Sequence, residues 1–554
     1  NKNKRILQEF PKQKFKGLLA SLVVDEDWFL ILNTKILKFN FDLLQFEDAY
    51  KTATSKIKNV YYNKAHDQVF IALHSQIFIF SNKETGLQLD KVHANFNVTN
   101  KFTTCLYKDE TYNTLYSGSW AYGLGISKPS KFTTIQLKED RSKNLIYAFN
   151  WNQKDSIFLP NGLIIHDQKI IKTDAISHNL LINQYFPRDQ NDNFYAAKRR
   201  KIMKLRYNAE SLKYKEDLFL DFKEDLGVLY VSKENELYIS TKSFNNSNQV
   251  YFFKTNNLNE ANTKLDTLFK FEHEIYYINE SLDGSKLWIG TNNGLFIYKP
   301  TSNKIDSIPG LNNTVVRTIK ETKKYVWIGS YNNGYFHYSK ADKKLTKLPY
   351  DNSNYLKTVH HIVEDDYNNI WLPTNKGLFK ANKDEVLAYI DGKKGYINYY
   401  YFNTQDGLAI NEFNGGCYPC EYLDKNNNII FPSLNGLVKF NPKDFLDYKL
   451  ANEEIFIDEI ILDGKSYLPT THFKIPKNFK NLEIHVDALA FNKLPTINFT
   501  SPLNTNLSKY SSISDGKLVF TSLPHGKHQL NFSLGTSNKA KITSMQLQKE
   551  MFWY

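Results

Sequence analysis

Apolar and polar positions along this chain alternate in short bursts, not in helical stripes. The burst from Leu287 to Tyr298, LWIGTNNGLFIY, has an apolar and aromatic first half suited to a buried strand. Asn292, Asn293 and Gly294 then supply a turn with positive φ, and Leu-Phe-Ile-Tyr resumes as a second strand, which predicts a β-hairpin. The pattern returns as VWIGSYNNGYFHY from Val326, IWLPTNKGLFK from Ile370 and IIFPSLNGLVKF from Ile429. The turn glycines Gly294, Gly334, Gly377 and Gly436 are 40, 43 and 59 residues apart. A period near 40 to 45 residues with about four short strands per unit is the mark of a β-propeller blade.

More worn copies precede these four. Strand, polar turn, strand recurs from Trp28, Val69, Leu115, Ser156, Phe194 and Leu237, which makes ten hairpins at roughly 44-residue spacing. Ten is too many for a usual ring of four to eight blades. The expectation is therefore two propellers in series, over residues 1–260 and 261–447, with some blades too diverged to see or the first ring entered partway through; a single large ring is the alternative. Past Asn441-Pro442 the spacing changes. Leu482, Ile484 and Val486 alternate with Glu483, His485 and Asp487, and strands with Gly or Pro turns continue to the end, so 448–554 reads as an immunoglobulin-like β-sandwich. The fold class expected is all-β.

Composition narrows the chemistry. Aromatics make up 15% of the 554 residues, which suits extensive strand packing. The net charge of +13 is spread along the chain without an arm or tail, and reads as a lysine-rich solvated surface or as affinity for an acidic ligand. With only Cys105, Cys417 and Cys420 there is no disulfide framework. Cys417-Tyr-Pro-Cys420 is a CxxC, open to readings as core residues, a local disulfide, a redox dithiol or half a zinc site, but no second CxxC or spaced His pair accompanies it. No apolar run approaches the length of a membrane span, and the chain reads as a soluble portion of a longer protein.

WIGTNNGLFIY, WIGSYNNGYFHY and WLPTNKGLFK resemble the two-component regulator propeller repeat of Bacteroidetes hybrid two-component sensors. Asp406-Gly407-Leu408 and Glu412-Phe413-Asn414, followed by NGLVKFNP from Asn435, resemble that family's closing blade. LPHGKH from Leu523 and MFWY at Met551–Tyr554 are similar to the turn and end of its triple-tyrosine sandwich, although His528 replaces the expected tyrosine and no Pro-Pro precedes Phe552. The resemblance implies a periplasmic module, non-catalytic and without cofactor or metal, that binds an oligosaccharide or other small ligand. It further implies homodimerisation through the sandwich, inner-membrane tethering in the full-length protein, a cytoplasmic kinase or DNA-binding output, and no nucleic-acid contact by this module. The alternatives are a cell-envelope assembly scaffold and a propeller-type polysaccharide lyase or glycosidase, for which no paired carboxylates stand out.

The blade residues Trp288, Gly290, Gly294, Trp327, Gly329, Gly334, Trp371, Gly377 and Gly436 are expected to be structural. For ligand binding the candidates are Lys198, Arg199 and Arg200, which with Lys201 put four cations where other blades carry Asn-Gly, and Tyr399, Tyr400 and Tyr401, in an aromatic insertion with Tyr396 and Phe402. Each has a bland reading too, a solvated turn or loop packing. His360-His361 mixes with Glu364 to Asp366, but strand alternation sends the two imidazoles to opposite faces, which argues against a metal.

Overall fold

In the computed structural model each of the ten hairpins read from the sequence lies in its own antiparallel sheet. The structure describes residues 15–550 apart from some short stretches, the longer being 138–143, 172–183, 243–248, 259–264, 447–454, 489–496, 501–510 and 535–542. Tyr396 and Met551–Tyr554 lie outside the described residues. The chain divides into two units at Pro129/Ser130, and the expected division at 260/261 falls instead within one four-stranded sheet, between strands Val250–Thr255 and Asp266–Phe271. The first unit carries three of the ten sheets, and the second carries the other seven and the sandwich.

The tight turns behave as their residues dictate. Gly294, Gly334, Gly377 and Gly436 all have positive φ. In each hairpin a hydroxyl at the end of the first strand donates to that glycine's carbonyl: Thr291 at 3.0 Å, Ser330 at 2.7 Å, Thr374 at 2.8 Å and Ser433 at 2.9 Å. Within each complete sheet of the ring the strands follow chain order, and successive sheets pack first strand on first strand, as Leu226–Val231 does on Ile275–Glu280 and that strand on Val315–Glu321. The first strands therefore line the ring axis. Close approach between sheets explains two blade glycines, since a Cβ on Gly290 or Gly329 would lie 2.9 Å from the carbonyl oxygen of Val316 or Val359.

The ring closes by borrowing a strand. Thr133–Ile135, just after the unit boundary, pairs antiparallel with Gly436–Phe440 and becomes the outer strand of the seventh sheet. Phe132 beside it packs on Phe402, Phe440 and Phe445. The buried tryptophans also join the sheets. Trp288 donates to Glu321 (3.2 Å) and Trp327 to Glu364 (2.6 Å), each carboxylate sitting on the next sheet. Lys340 and Lys383 close these pairs at 2.9 and 3.0 Å. Trp371 bonds Asp365 of its own sheet at 2.7 Å.

Between Gly377 and Gly436 the extra residues build a helix, Lys383–Ile390, which Asn382 caps by accepting from the Glu385 N–H. Sequence periodicity did not single it out, because only two turns stand between two strands. The sandwich is a five-stranded sheet facing a four-stranded one, with Leu482, Ile484 and Val486 buried in its core as the alternation requires.

Arg199 sits in the left-handed region, φ 57°, at the tip between strands Asn193–Lys198 and Lys201–Asn208. An arginine is strained there by about 1–2 kcal/mol, while glycine loses somewhat more freedom on folding. Arg199→Gly is expected to raise the melting temperature, by a net gain of roughly 0.5–1 kcal/mol; an unchanged or lower melting temperature would show that the arginine has a compensating contact.

Candidate functional site: the ring axis and its mouth

The site is built by residues 411–421, which leave the sixth sheet and travel across the inner strands before the seventh sheet begins. Asn414 donates to the Ile146 carbonyl through its side chain and accepts from His361 through its own carbonyl. Backbone bonds tie Phe149 N–H to Pro419, Phe186 N–H to Tyr418 and Tyr418 N–H to Gln184. The Tyr418 ring lies 5.1 Å from Tyr230 and 5.8 Å from Tyr277, on the third and fourth sheets. One segment therefore touches the first, second, third, fourth and sixth sheets. Burial is what its sequence permits: past Glu412 come Phe413, Asn414 and two glycines, then Cys-Tyr-Pro-Cys, with no charged side chain between Glu412 and Glu421.

Gly415 has to be glycine, because a Cβ would come within 2.0 Å of the His360 ring nitrogen Nδ1. His360 points to Asn375, with Nε2 to Oδ1 at 2.6 Å, and burial lowers its pKa to about 3, so it stands neutral. His361, the next residue, turns to the CxxC. Its Nδ1 lies 3.8 Å from Cys420 Sγ and 3.6 Å from Glu421 Oε2, and its ring stacks on Phe431. The ligand-capable atoms of His361, Cys417 and Cys420 are all within 4.8 Å of one another, and all three residues are buried. Both cysteines are free thiols, not a disulfide.

The electrostatics of this trio are tightly shared. Burial pushes the Cys417 thiol up, but hydrogen bonds from Cys420 and His361 outweigh it and bring it to about 7. Burial and the neighbouring Cys417 push Cys420 well above the ordinary thiol value. For His361 burial works against the imidazolium, yet Cys417 and Glu421 hold its pKa above the ordinary value. Sequence reasoning saw both halves and kept them apart. The CxxC lacked a partner because that partner stands 56 residues earlier, on the neighbouring sheet.

Beside the segment opens a cleft of about 550 Å³, lined by Asn375, Lys376, Thr404, Leu408, Ala409, Ile410, Asn411 and Glu412. This is the Asp-Gly-Leu to Glu-Phe-Asn stretch noted in the sequence, shaped by a capped turn at Asn403–Gly407.

The residues proposed from sequence for ligand binding do not converge. Lys198, Arg199, Arg200 and Lys201 are exposed on the second sheet, where Asp225 pairs with Arg200 at 3.1 Å and Asp221 with Lys201 at 3.7 Å. Tyr399, Tyr400 and Tyr401 form the outer strand of the sixth sheet. Tyr399 donates to the Pro349 carbonyl (2.7 Å) and also meets the Tyr335 hydroxyl; Tyr400 lies under the Lys380 ammonium. Tyr401 alone reaches the cleft wall, donating to the Lys376 carbonyl at 2.6 Å.

No family model matches the chain. A stretch of 121 residues is 29% identical to histidine kinase P4 of Formosa agariphila, and the match spans 8% of that protein's length. In three dimensions the chain is similar to the extracellular domain of a B. thetaiotaomicron protein described as a hybrid two-component system, with a TM-score of 0.61 and 17% identity over 96% of this chain and 72% of that one. A second such B. thetaiotaomicron domain aligns over 96% of the chain at a TM-score of 0.45. The chain thus shares the fold of the first of these extracellular domains.

Proposed function

We propose that this chain is the extracytoplasmic, non-catalytic sensing module of a membrane-bound signal-transduction protein. The observation that supports it is the order of its parts: a strand-latched ring of seven sheets followed by a two-sheet sandwich, in a fold shared over 96% of the chain with a sensor ectodomain. Among the described residues no helix is long and apolar enough to cross a membrane, so the reading assigns the span to sequence outside this chain. The module is periplasmic in this reading and pairs with a second copy through its sandwich.

The ligand is an oligosaccharide held at the cleft beside the ring axis. Asn375, Asn411, Thr404 and Glu412 offer donors and acceptors to hydroxyls, Lys376 offers a cation to an acidic sugar, and Leu408 with Ile410 offers apolar surface. Binding changes how the two sandwiches associate and so biases a two-state arrangement of membrane helices, with a kinase or DNA-binding output beyond them. Calorimetric titration against neutral and acidic oligosaccharides, at low and moderate salt, tests this. One glycan is expected to bind at micromolar strength, and Asn411→Ala and Lys376→Ala are each expected to weaken it about tenfold, or 1.4 kcal/mol. Failure of every glycan at both salt levels overturns the saccharide reading, and binding unaffected by both substitutions moves the site elsewhere.

A further inference from the structure

We infer that His361, Cys417 and Cys420 form a zinc site at the ring axis, with Glu421 placed to complete it. Three observations carry this apart from the residue types. The ligand-capable atoms of the trio already lie within 4.8 Å of one another, close to the mutual spacing required by bonds of about 2.3 Å to sulfur and 2.0–2.1 Å to nitrogen around one ion. The imidazole is also oriented for the task. Its Nε2 lies 3.1 Å from the Asn414 carbonyl, which can only accept, so Nε2 carries a hydrogen and Nδ1, 3.8 Å from Cys420 Sγ, is the nitrogen left for an ion that displaces its proton. A ligand histidine whose other nitrogen donates to a backbone carbonyl is the usual second contact of a metal site. Third, Glu421 Oε2 is 3.6 Å from that same Nδ1, and Glu421 is only partly buried, held by Lys320 at 3.2 Å, so its carboxylate can swing to the fourth position.

Two thiolates, one imidazole and one carboxylate make a closed tetrahedral set suited to a d¹⁰ ion, and a closed set is structural, not catalytic. Loading the site displaces the protons that its ligands carry, so affinity rises with pH. Its effect would be to clamp the 411–421 segment, ahead of the seventh sheet, to the chain just before the sixth sheet's first strand, Val363–Glu364. This goes beyond the sensing role and does not depend on what the cleft binds.

The test uses the whole chain, purified without added chelator, with zinc content by plasma mass spectrometry and a thiol count. About one zinc per chain is expected, with Cys417 and Cys420 resisting alkylation in the native state. Stripping the metal should lower the melting temperature, and refilling with Co²⁺ should produce thiolate-to-cobalt charge transfer with intense tetrahedral d–d bands. Cys417→Ser with Cys420→Ser should abolish binding. Because those positions are buried and the double variant can fail to fold, Glu421→Gln is the milder partner, expected to bind zinc about tenfold more weakly. A Cys417–Cys420 cystine in the peptide map, or two free thiols with no metal retained after incubation with zinc, overturns the site. Unchanged affinity in Glu421→Gln overturns the four-ligand set.

Discussion

Trp327→Ala is expected to destabilise the ring by about 3–5 kcal/mol, read as a fall in the denaturant midpoint without a change in slope. Trp327 is fully buried between the fifth and sixth sheets, and truncation removes its packing against Tyr325 and His337. It also takes from Glu364 a donor at 2.6 Å, leaving that carboxylate with Tyr325 and Lys383. Trp327→Phe separates the two losses. It keeps most of the aromatic volume and loses only the N–H, which should cost about 1–3 kcal/mol. If the phenylalanine variant were as unstable as the alanine one, the joint between sheets would be held mainly by the indole hydrogen bond; a shift below about 1 kcal/mol in Trp327→Ala would show that the joint is not structural.

Phe132→Ala comes next in size, at about 3–5 kcal/mol, although Phe132 belongs to no strand. Its ring is wedged among Phe402, Phe440 and Phe445, with centroids 5.7, 5.4 and 5.1 Å away. Only three residue pairs, Thr133 with Lys439, Thr134 with Val438 and Ile135 with Leu437, hold the closing strand in register. Few bonds hold it, so the wedge carries much of the latch. The variant is expected to gain protease cleavage within 130–137 at temperatures where the parent resists. Cleavage appearing elsewhere first would place the weakest point of the ring outside the closure.

All ten hairpins were legible because each is local. An aromatic strand, a polar turn and a second strand lie close together in the chain, and in the four clearest copies the turn glycine is demanded by its own φ. How the sheets group was not legible. The division after Pro129 and the latch at Thr133–Ile135 depend on a three-residue strand too short to show a period, paired with a partner 302 residues away at Ile135 and Leu437. The same holds at the axis. His360 and His361 lie just ahead of the strand Val363–Glu364 and take different partners, Asn375 and the Asn414 carbonyl, and which of them would meet the cysteines is settled by packing between neighbouring sheets. The tyrosines at 399–401 show the converse: a run conspicuous in sequence became one outer strand whose hydroxyls are mostly used internally, as Tyr399 is by Pro349 and Tyr335.

The borrowed strand also sets a schedule for synthesis. Ile135 emerges from the ribosome early and cannot find Leu437 until 302 further residues have followed. At translation rates of about 5–20 residues per second, that is roughly 15–60 s of waiting. Throughout that time the seventh sheet does not exist, and the first strands of the other six have no closed ring to pack within. The contact order of this one pairing is therefore high, and closure is the step on which a nascent chain is most exposed to mispairing. Slowing release of the last blade, or meeting a second nascent copy at that stage, would favour an exchanged strand between two chains over the latch within one.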